Sequence, residues 1–402
     1  MSDRQHGAAS GLTSRQVFLM ALTCALAVSA IYYHQPLLPQ IADSFSISPT
    51  RGNLIATITQ LGYASGLLLF VPLADSFQPR KLATVAIVGN AVALLACAVA
   101  PSFPLLVVSS FVVGVTAITA QIIIPSASGM ASPERRGRTV GMLLGGLSSG
   151  VLLARTLSGF VGAHFGWRAM FVSAAGFDLA LIAVVARLPD AENLAALRYR
   201  DLMLSLVSLI RTEPALRISI ATGFLAFGAF SAFWATLATL LAQPPYQFGP
   251  ATVGAFGLVG LIGLVASPSI GTLVDRVHPS LVSASGALTV SLSFLLVATG
   301  AMHLSWLLAS VVLLDLGNRT AFVANQARIY SLRPEARGRL NTAFMVSYFV
   351  GGAAGAAMGG IGAQHGGWLG LAAVGAVLAL LALVTSFLGY RMAFVTTATD
   401  EP

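Results

Sequence analysis

The chain has 402 residues, of which 56% are hydrophobic and 9% charged, against roughly a quarter charged in an ordinary soluble domain. This composition excludes a soluble globular protein, and because backbone polar groups cannot stay unpaired in lipid, long unbroken apolar runs must cross as helices. The formal net charge of +8 comes largely from arginines in short loops beside those runs, not from a soluble basic face, which sets nucleic-acid binding aside.

In chain order, a polar start gives way to an apolar run over 15–38. It closes on YYHQPLLPQ (Tyr32 to Gln40) without a small-residue cleavage motif, so it reads as a retained first helix. Runs of spanning length, about 20 residues, follow at 52–73, 81–101, 104–130, 138–163 and 167–188. Six more lie at 215–242, 250–273, 281–301, 304–330, 338–363 and 368–390. The long polar interval 189–214 divides the chain into a bundle over 1–188 and a bundle over 215–402, and within it Arg198 to Arg211 is a candidate interfacial helix. The expected fold is an all-α integral membrane protein of twelve transmembrane helices in two pseudo-symmetric six-helix bundles. Cys24 and Cys97 both fall inside apolar runs, away from the loop setting of a secreted disulfide and from metal-site spacing. They read as packing residues, and neither a metal nor a cofactor is expected.

The two bundles repeat one another. PERRGR (Pro133 to Arg138) returns 201 residues later as PEARGR (Pro334 to Arg339), and the register holds through Gly150 and Gly351, Gly159 and Gly360, His164 and His365, Gly166 and Gly367, and Trp167 and Trp368. An internal repeat in an apolar chain points to a transporter that moves one half against the other. With the N-terminus inside, eighteen Lys and Arg residues lie in inside segments and only Arg51 and Arg168 outside. That bias places both termini in the cytoplasm, in a chain expected in the bacterial inner membrane.

The loops after the second helix of each half carry VPLADSFQPRK (Val71 to Lys81) and GTLVDR (Gly271 to Arg276). With two six-helix halves, they resemble the major facilitator superfamily, whose loop reads approximately G-x-L-x-D-R-x-G-R-R. The first copy departs from it at Val71, Ser76 and Gln78. YYHQPLLP (Tyr32 to Pro39), QLGYASGLLLFVPLAD (Gln60 to Asp75), GVLLARTLSG (Gly150 to Gly159), FSAFW (Phe230 to Trp234) and NQARIY (Asn325 to Tyr330) are similar to a bacterial branch labelled arabinose-efflux-permease-like. The label does not imply arabinose as substrate. The resemblance implies a secondary transporter with two conformational latches. In one, Asp75 with Arg80 and Lys81 faces the start of helix 11 near Gly338 and Arg339. In the other, Asp275 with Arg276 faces the start of helix 5 near Gly137 and Arg138. A carboxylate at a helix N-terminus is typically worth about 0.3 to 1 kcal/mol; the alternative is an Asp that merely ends a helix in solvent.

Ionisable residues inside spans cost about 2.5 to 3.5 kcal/mol on insertion scales and are functional candidates by default. Arg155 lies eleven residues before the Gly166 turn and Asp178 twelve after it, each about 16 to 18 Å away along its helix. The matching depth predicts an Arg155–Asp178 salt bridge, with a different partner for Arg155, including substrate, left open. Asp315 and Arg319, four apart on helix 10, predict a second ion pair. The resemblance implies that helices 1, 4, 7 and 10 line a central cavity, which makes Asp315 the candidate proton-coupling carboxylate; a purely structural pair is the alternative.

Tyr32 and Tyr33 of helix 1 with Phe230 and Trp234 of helix 7 are candidate aromatic lining, and His34, Gln35, Gln60, Tyr63 and Gln121 are candidate polar lining at cavity-facing depth. Gly141, Gly145 and Gly150 partly match the antiporter motif of drug exporters, although small residues at this spacing equally allow close helix packing. His164 and His365 are expected at the outer rim. With neither a catalytic motif such as HExxH nor a phosphate loop GxxxxGK[ST] present, the chain is not read as an enzyme. The expected function is proton-driven export of a small organic molecule or drug by a monomer. Uptake symport on the same fold and a transport-inactive membrane sensor are the alternatives.

Overall fold

The computed structural model describes residues 12–75, 77–132, 135–187, 199–300, 303–333 and 336–399. Within that range the side chains of residues 75, 263, 264, 267, 268, 275 and 393–399 are outside the description.

All regular structure among the described residues is helical. The first part holds α1 (Ser14–Ser29), α2 (Leu38–Ser44), α3 (Pro49–Gly52), α4 (Leu54–Leu69), α5 (Pro79–Val99), α6 (Phe103–Thr116), α7 (Thr119–Met130), α8 (Arg136–Phe165) and α9 (Trp167–Val185). After α10 (Tyr199–Thr212) come α11 (Pro214–Leu241), α12 (Pro250–Val259), α13 (Leu261–Arg276), α14 (Pro279–Ala298), α15 (Leu304–Leu332) and α16 (Arg337–Thr399). Nine helical stretches of the described residues are long and apolar enough to cross a membrane, while α1 and α12 are shorter apolar helices. The last stretch, Arg337–Met392, bends at Gly367, whose φ of 54° is in the left-handed region. Gly166, its counterpart one repeat earlier, turns α8 into α9 with φ 82°. Only glycine adopts such angles without strain, so the repeat is conserved in backbone as well as in letters.

Prolines set the breaks near the centre. Pro36 and Pro39 lack the N–H a continuous helix needs, so α1 ends before Tyr32 and the chain passes through a 3₁₀ turn at Gln35–Leu37 into α2. The opened backbone is re-satisfied locally. Gln35 N–H donates to the Tyr32 carbonyl at 3.1 Å, and the Ser158 hydroxyl of α8 donates to the Tyr33 carbonyl. Gly260 separates α12 from α13 in the same way. Irregular backbone at membrane depth is tolerated where protein covers it, and here it exposes side chains rather than lipid-facing peptide groups.

Glycine brings the helices together. A Cβ on Gly150 would lie 2.6 Å from Ala25 Cα in α1, and one on Gly351 would lie 2.6 Å from Phe224 Cα in α11. The two halves therefore repeat one close crossing, the small-residue packing expected in lipid.

Between the halves, contact is uneven along the membrane normal. At the end away from the chain termini, a Cβ on Gly254 of α12 would sit 3.0 Å from Gly159 Cα of α8, and one on Gly360 of α16 would meet Asn53 Nδ2 at 3.1 Å. Tyr63 of α4 packs edge-on against Phe349 of α16 at 4.5 Å. Toward the terminal end, the Cβ positions of Gly137, Gly141, Gly145, Gly271 and Gly338 meet no described atom within 4 Å. The described contacts between the halves through these glycines therefore lie at the far end.

The expected helix in the linker forms as α10. Its Leu202, Leu206 and Leu209 are buried, while Leu204, Val207 and Ile210 are exposed. Tyr199 Oη donates to the Leu69 carbonyl at 3.1 Å, and Glu213 beyond the helix pairs with Arg333 at 2.6 Å.

Replacing Gly254 by Val forces a side chain into the α8 backbone, an overpacking cost of about 1–3 kcal/mol confined to the far-end-closed arrangement. A thiol introduced as Asn53→Cys, buried at that end, is expected to react several-fold faster with a membrane-impermeant maleimide in the Gly254→Val background; an unchanged rate rules out this contact as the far-end seal.

Candidate functional site

The break after α1, the middle of α8, the second half of α11 and the middle of α15 meet at one place. Arg155 of α8 lies at its centre and is 2% exposed. Gly254 and Gly257 make room for it, since a Cβ on Gly257 would lie 3.1 Å from Arg155 Cβ. Its Nε donates to Gln35 Oε1 at 2.7 Å. The guanidinium carbon lies 3.9 Å from the Trp234 ring centroid, 5.2 Å from Tyr32 and 6.0 Å from Phe230. Such contacts favour a cation, by about 2 kcal/mol or more when desolvated. Nη1 and Nη2 are both buried and have no hydrogen-bond partner among the described atoms.

The expected Arg155–Asp178 salt bridge does not form. Equal depth on two helices says nothing about which way each face points, and Asp178 of α9 turns toward Tyr33 and α1 instead. It is 3% exposed, and its Oδ2 has no hydrogen-bond partner among the described atoms. The expected Asp315–Arg319 ion pair is not closed either. Arg319 Nη1 donates to Ser148 Oγ of α8 at 3.3 Å, and Asp315 lies in the field of Arg155 on the other half as well as of Arg319. The Asp315 Oδ2 has no hydrogen-bond partner among the described atoms, and it faces the Gly260 break, where a Cβ would approach to 3.2 Å.

The other candidates divide between this centre and its surroundings. Tyr32, His34 and Gln35 stand beside Arg155, and His34 Nε2 is buried without a partner among the described atoms. Tyr33, next in sequence, faces away toward Ser29 and Asp178. Gln60 Oε1 accepts from Ser231 Oγ at 3.4 Å at the α4–α11 contact, so it helps hold the halves together. Tyr63 packs at the same seam, and Gln121 of α7 is half-buried.

Sequence reading missed Tyr348 of α16. Its ring stacks on Phe227 at 3.9 Å and its hydroxyl accepts from Asn318 Nδ2 at 3.2 Å. Asn318, a polar residue between Asp315 and Arg319 in an apolar run, was the available signal. Of the latch candidates, Asp75 and Asp275 have side chains outside the description, as do Pro133, Glu134, Pro334 and Glu335 entirely. Lys81, Arg138 and Arg276 are exposed and Arg80 half-buried. Arg339 borders a terminal-end cavity of about 320 Å³ with Arg333, Ser205 and Ser208.

Residues 17–329 match the Major Facilitator Superfamily. The chain belongs to this superfamily. It is 36% identical over 381 residues to the uncharacterised transporter YgaY of Escherichia coli O157:H7, covering 94% of this chain and 97% of that one. It is 24% identical over 384 residues to the inner membrane transport protein YnfM of Escherichia coli K12, covering 94% and 90%. The fold matches the crystal structure of the nucleoside transporter NupG with a TM-score of 0.73 at 13% identity, over 94% of this chain and 99% of that one. This superfamily member is a multi-pass membrane transporter and not an enzyme.

Because Arg155 and Asp315 interact across the halves without touching, their removal is expected to be non-additive. The double variant Arg155→Gln with Asp315→Asn is expected to be more stable than the two single losses sum to, by about 0.5–3 kcal/mol. Asp178→Asn is expected to show no such coupling to Arg155→Gln. Thermal unfolding of the unaltered protein, the three single variants and the two double variants measures both terms, and strict additivity for Arg155 and Asp315 contradicts the pairing.

Proposed function

We propose that the protein is a proton-coupled antiporter that exports a small organic molecule or drug by alternating access. In this reading the nine long apolar stretches, the broken passes α1–α2 and α12–α13, and the bend at Gly367 make twelve passes. These form bundles over 1–188 and 215–402 joined by 189–214. Both termini are cytoplasmic, in the inner membrane, where the similar protein YnfM is named as residing, and the monomer is the working unit.

One observation carries the proposal: a buried carboxylate, Asp315 of the second bundle, lies in the field of a buried guanidinium, Arg155 of the first, at the depth where the bundles close. Adding a proton to Asp315 removes its attraction for Arg155, so the energy of bringing the bundles together at this depth depends on the proton. A carboxylate buried on one half alone would titrate without biasing the closure. The far-end contacts support reading this arrangement as the inward-open partner of the alternating pair, and in this reading closing the terminal end engages the Asp75 and Asp275 latches.

The purified protein reconstituted in vesicles with an imposed proton gradient provides the test. Antiport requires substrate and protons to move in opposite directions, and movement in the same direction assigns uptake symport instead. Asp315→Asn is expected to abolish gradient-driven accumulation while leaving downhill exchange of substrate. Retained accumulation removes Asp315 as the coupling group, and a protein that moves no compound under either condition leaves the sensor reading.

A further inference from the structure

We propose that Arg155 is the recognition point for an organic acid, binding its carboxylate or sulfonate, with the flat apolar body of that molecule lying against Tyr32, Phe230 and Trp234. The inference rests on the transport reading only in taking this place as the substrate site.

Three features of the site point to an anion. The first is charge. Arg155 and Arg319 face a single carboxylate, Asp315, and Asp178 lies on the Tyr33 side, absent from the electrostatic partners of Arg155. Two guanidinium groups against one carboxylate give the cluster an excess positive charge in a medium where an unpaired ion is expensive.

The second is hydrogen-bond capacity. Arg155 Nη1, Arg155 Nη2 and Trp234 Nε1 are all buried without partners among the described atoms. These atoms only donate, and beside them the unmet acceptors are Asp315 Oδ2 and, in one tautomer, His34 Nε2. Unmet donors outnumber unmet acceptors, so the missing partner is rich in acceptors.

The third is orientation. Gln35 ties Nε and Trp234 covers one face of the guanidinium, which fixes its plane and leaves Nη1 and Nη2 without a hydrogen-bond partner among the described atoms. The Nη1–Nη2 edge presents two parallel N–H groups, the geometry that a carboxylate or sulfonate meets with two oxygens and that a lysine cannot offer. Tyr32, Phe230 and Trp234 surround the guanidinium with aromatic surface, their ring centroids 5.2, 6.0 and 3.9 Å from its carbon. A guanidinium serving only to balance Asp315 would be expected to close a contact with it, and no such contact within 4.0 Å is present between them.

Binding of naphthoate, naphthalenesulfonate, naphthamide and naphthylmethylammonium to the full-length protein in lipid nanodiscs is the test, read by calorimetric titration. The two acids are expected to bind saturably, with the neutral amide weaker by about tenfold or more and the ammonium compound not bound. Arg155→Gln is expected to weaken the acids about 30-fold with little change for the amide, and Arg155→Lys to restore only part of the loss because it keeps the charge without the fork. Trp234→Phe, which leaves Arg155 in place, gives an independent reading through reduced affinity for all the aromatic probes.

Absence of binding by both acids, equal binding of acid and amide, preference for the ammonium compound, or acid affinity unchanged in Arg155→Gln each overturns the proposal. If Arg155→Gln does not fold, the acid-to-amide ratio on the unaltered protein and the Arg155→Lys titration decide it. Acid binding through Arg155 without any proton-driven flux would leave the anion site standing and remove the transport reading. Flux of a neutral compound with no acid bound would do the reverse.

Discussion

An arginine buried at membrane depth with two of its three nitrogens unpartnered constrains everything around it. Such a group is stable only if the surroundings supply a counter-charge, aromatic faces and few alternative conformations. The chain supplies each from a different element: Asp315 from α15, Trp234 and Phe230 from α11, and Tyr32 and Gln35 from the proline-broken end of the first pass. Gly254 and Gly257 of α12 let a fourth element close over it without displacing the side chain. Because these groups come from both bundles, the environment of Arg155 is complete only when the far end is shut. The energy of that one residue is therefore tied to the conformational equilibrium of the whole molecule.

Much of this architecture was legible in the sequence. The apolar runs, the 201-residue repeat and the glycines at 166 and 367 define helices, turns and two related halves, because membrane insertion makes hydropathy decisive and positive φ makes glycine obligatory. The amphipathic segment after Arg198 was legible for the same reason, and it forms α10. The pairing of charges was not. Depth along a helix follows from counting residues, but the direction of a side chain around the axis depends on helix rotation against its neighbours. Arg155 and Asp178 share a depth and point to different neighbours. Asp315 and Arg319 share a helical face, yet Ser148 of α8 takes the Arg319 guanidinium. The partner that matters to Arg155 is 160 positions away on another bundle, a relation that no local spacing encodes.

The hydrophobic positions show the same division between what spacing encodes and what packing decides. Gly141, Gly145 and Gly150 have motif-like spacing, but Gly150 is pressed on α1 whereas Gly141 and Gly145 meet no described atom within 4 Å. A single stripe of small residues thus serves as a fixed crossing in one place and as a contact in waiting in another. Stripes of this kind permit close approach, and which crossings close depends on the state of the protein.

The repeat gives the clearest measure of where function departed from symmetry. The two seams between the bundles, α8 against α12 and α16 against α4, are equivalent under the 201-residue offset. Arg155 on the first seam corresponds to Ala356 on the second, which is fully buried with Ala56 and Ala235 in an all-alanine contact. Asp315 corresponds to Gly114, where a Cβ would come within 2.7 Å of the Tyr63 amide nitrogen and no larger residue fits. One seam closes on small and uncharged side chains, with Gln60, Asn53, Tyr63 and Phe349 beside the alanines, so its energy carries no ion-pair contribution at these positions. The other carries both charges, so its energy depends on whatever neutralises them. A transporter with two uncharged seams would rock without regard to its cargo, and one with two charged seams would carry the desolvation cost of burying charge twice. With one of each, a single seam responds to proton and ligand while its symmetry mate serves as the hinge against which that response acts.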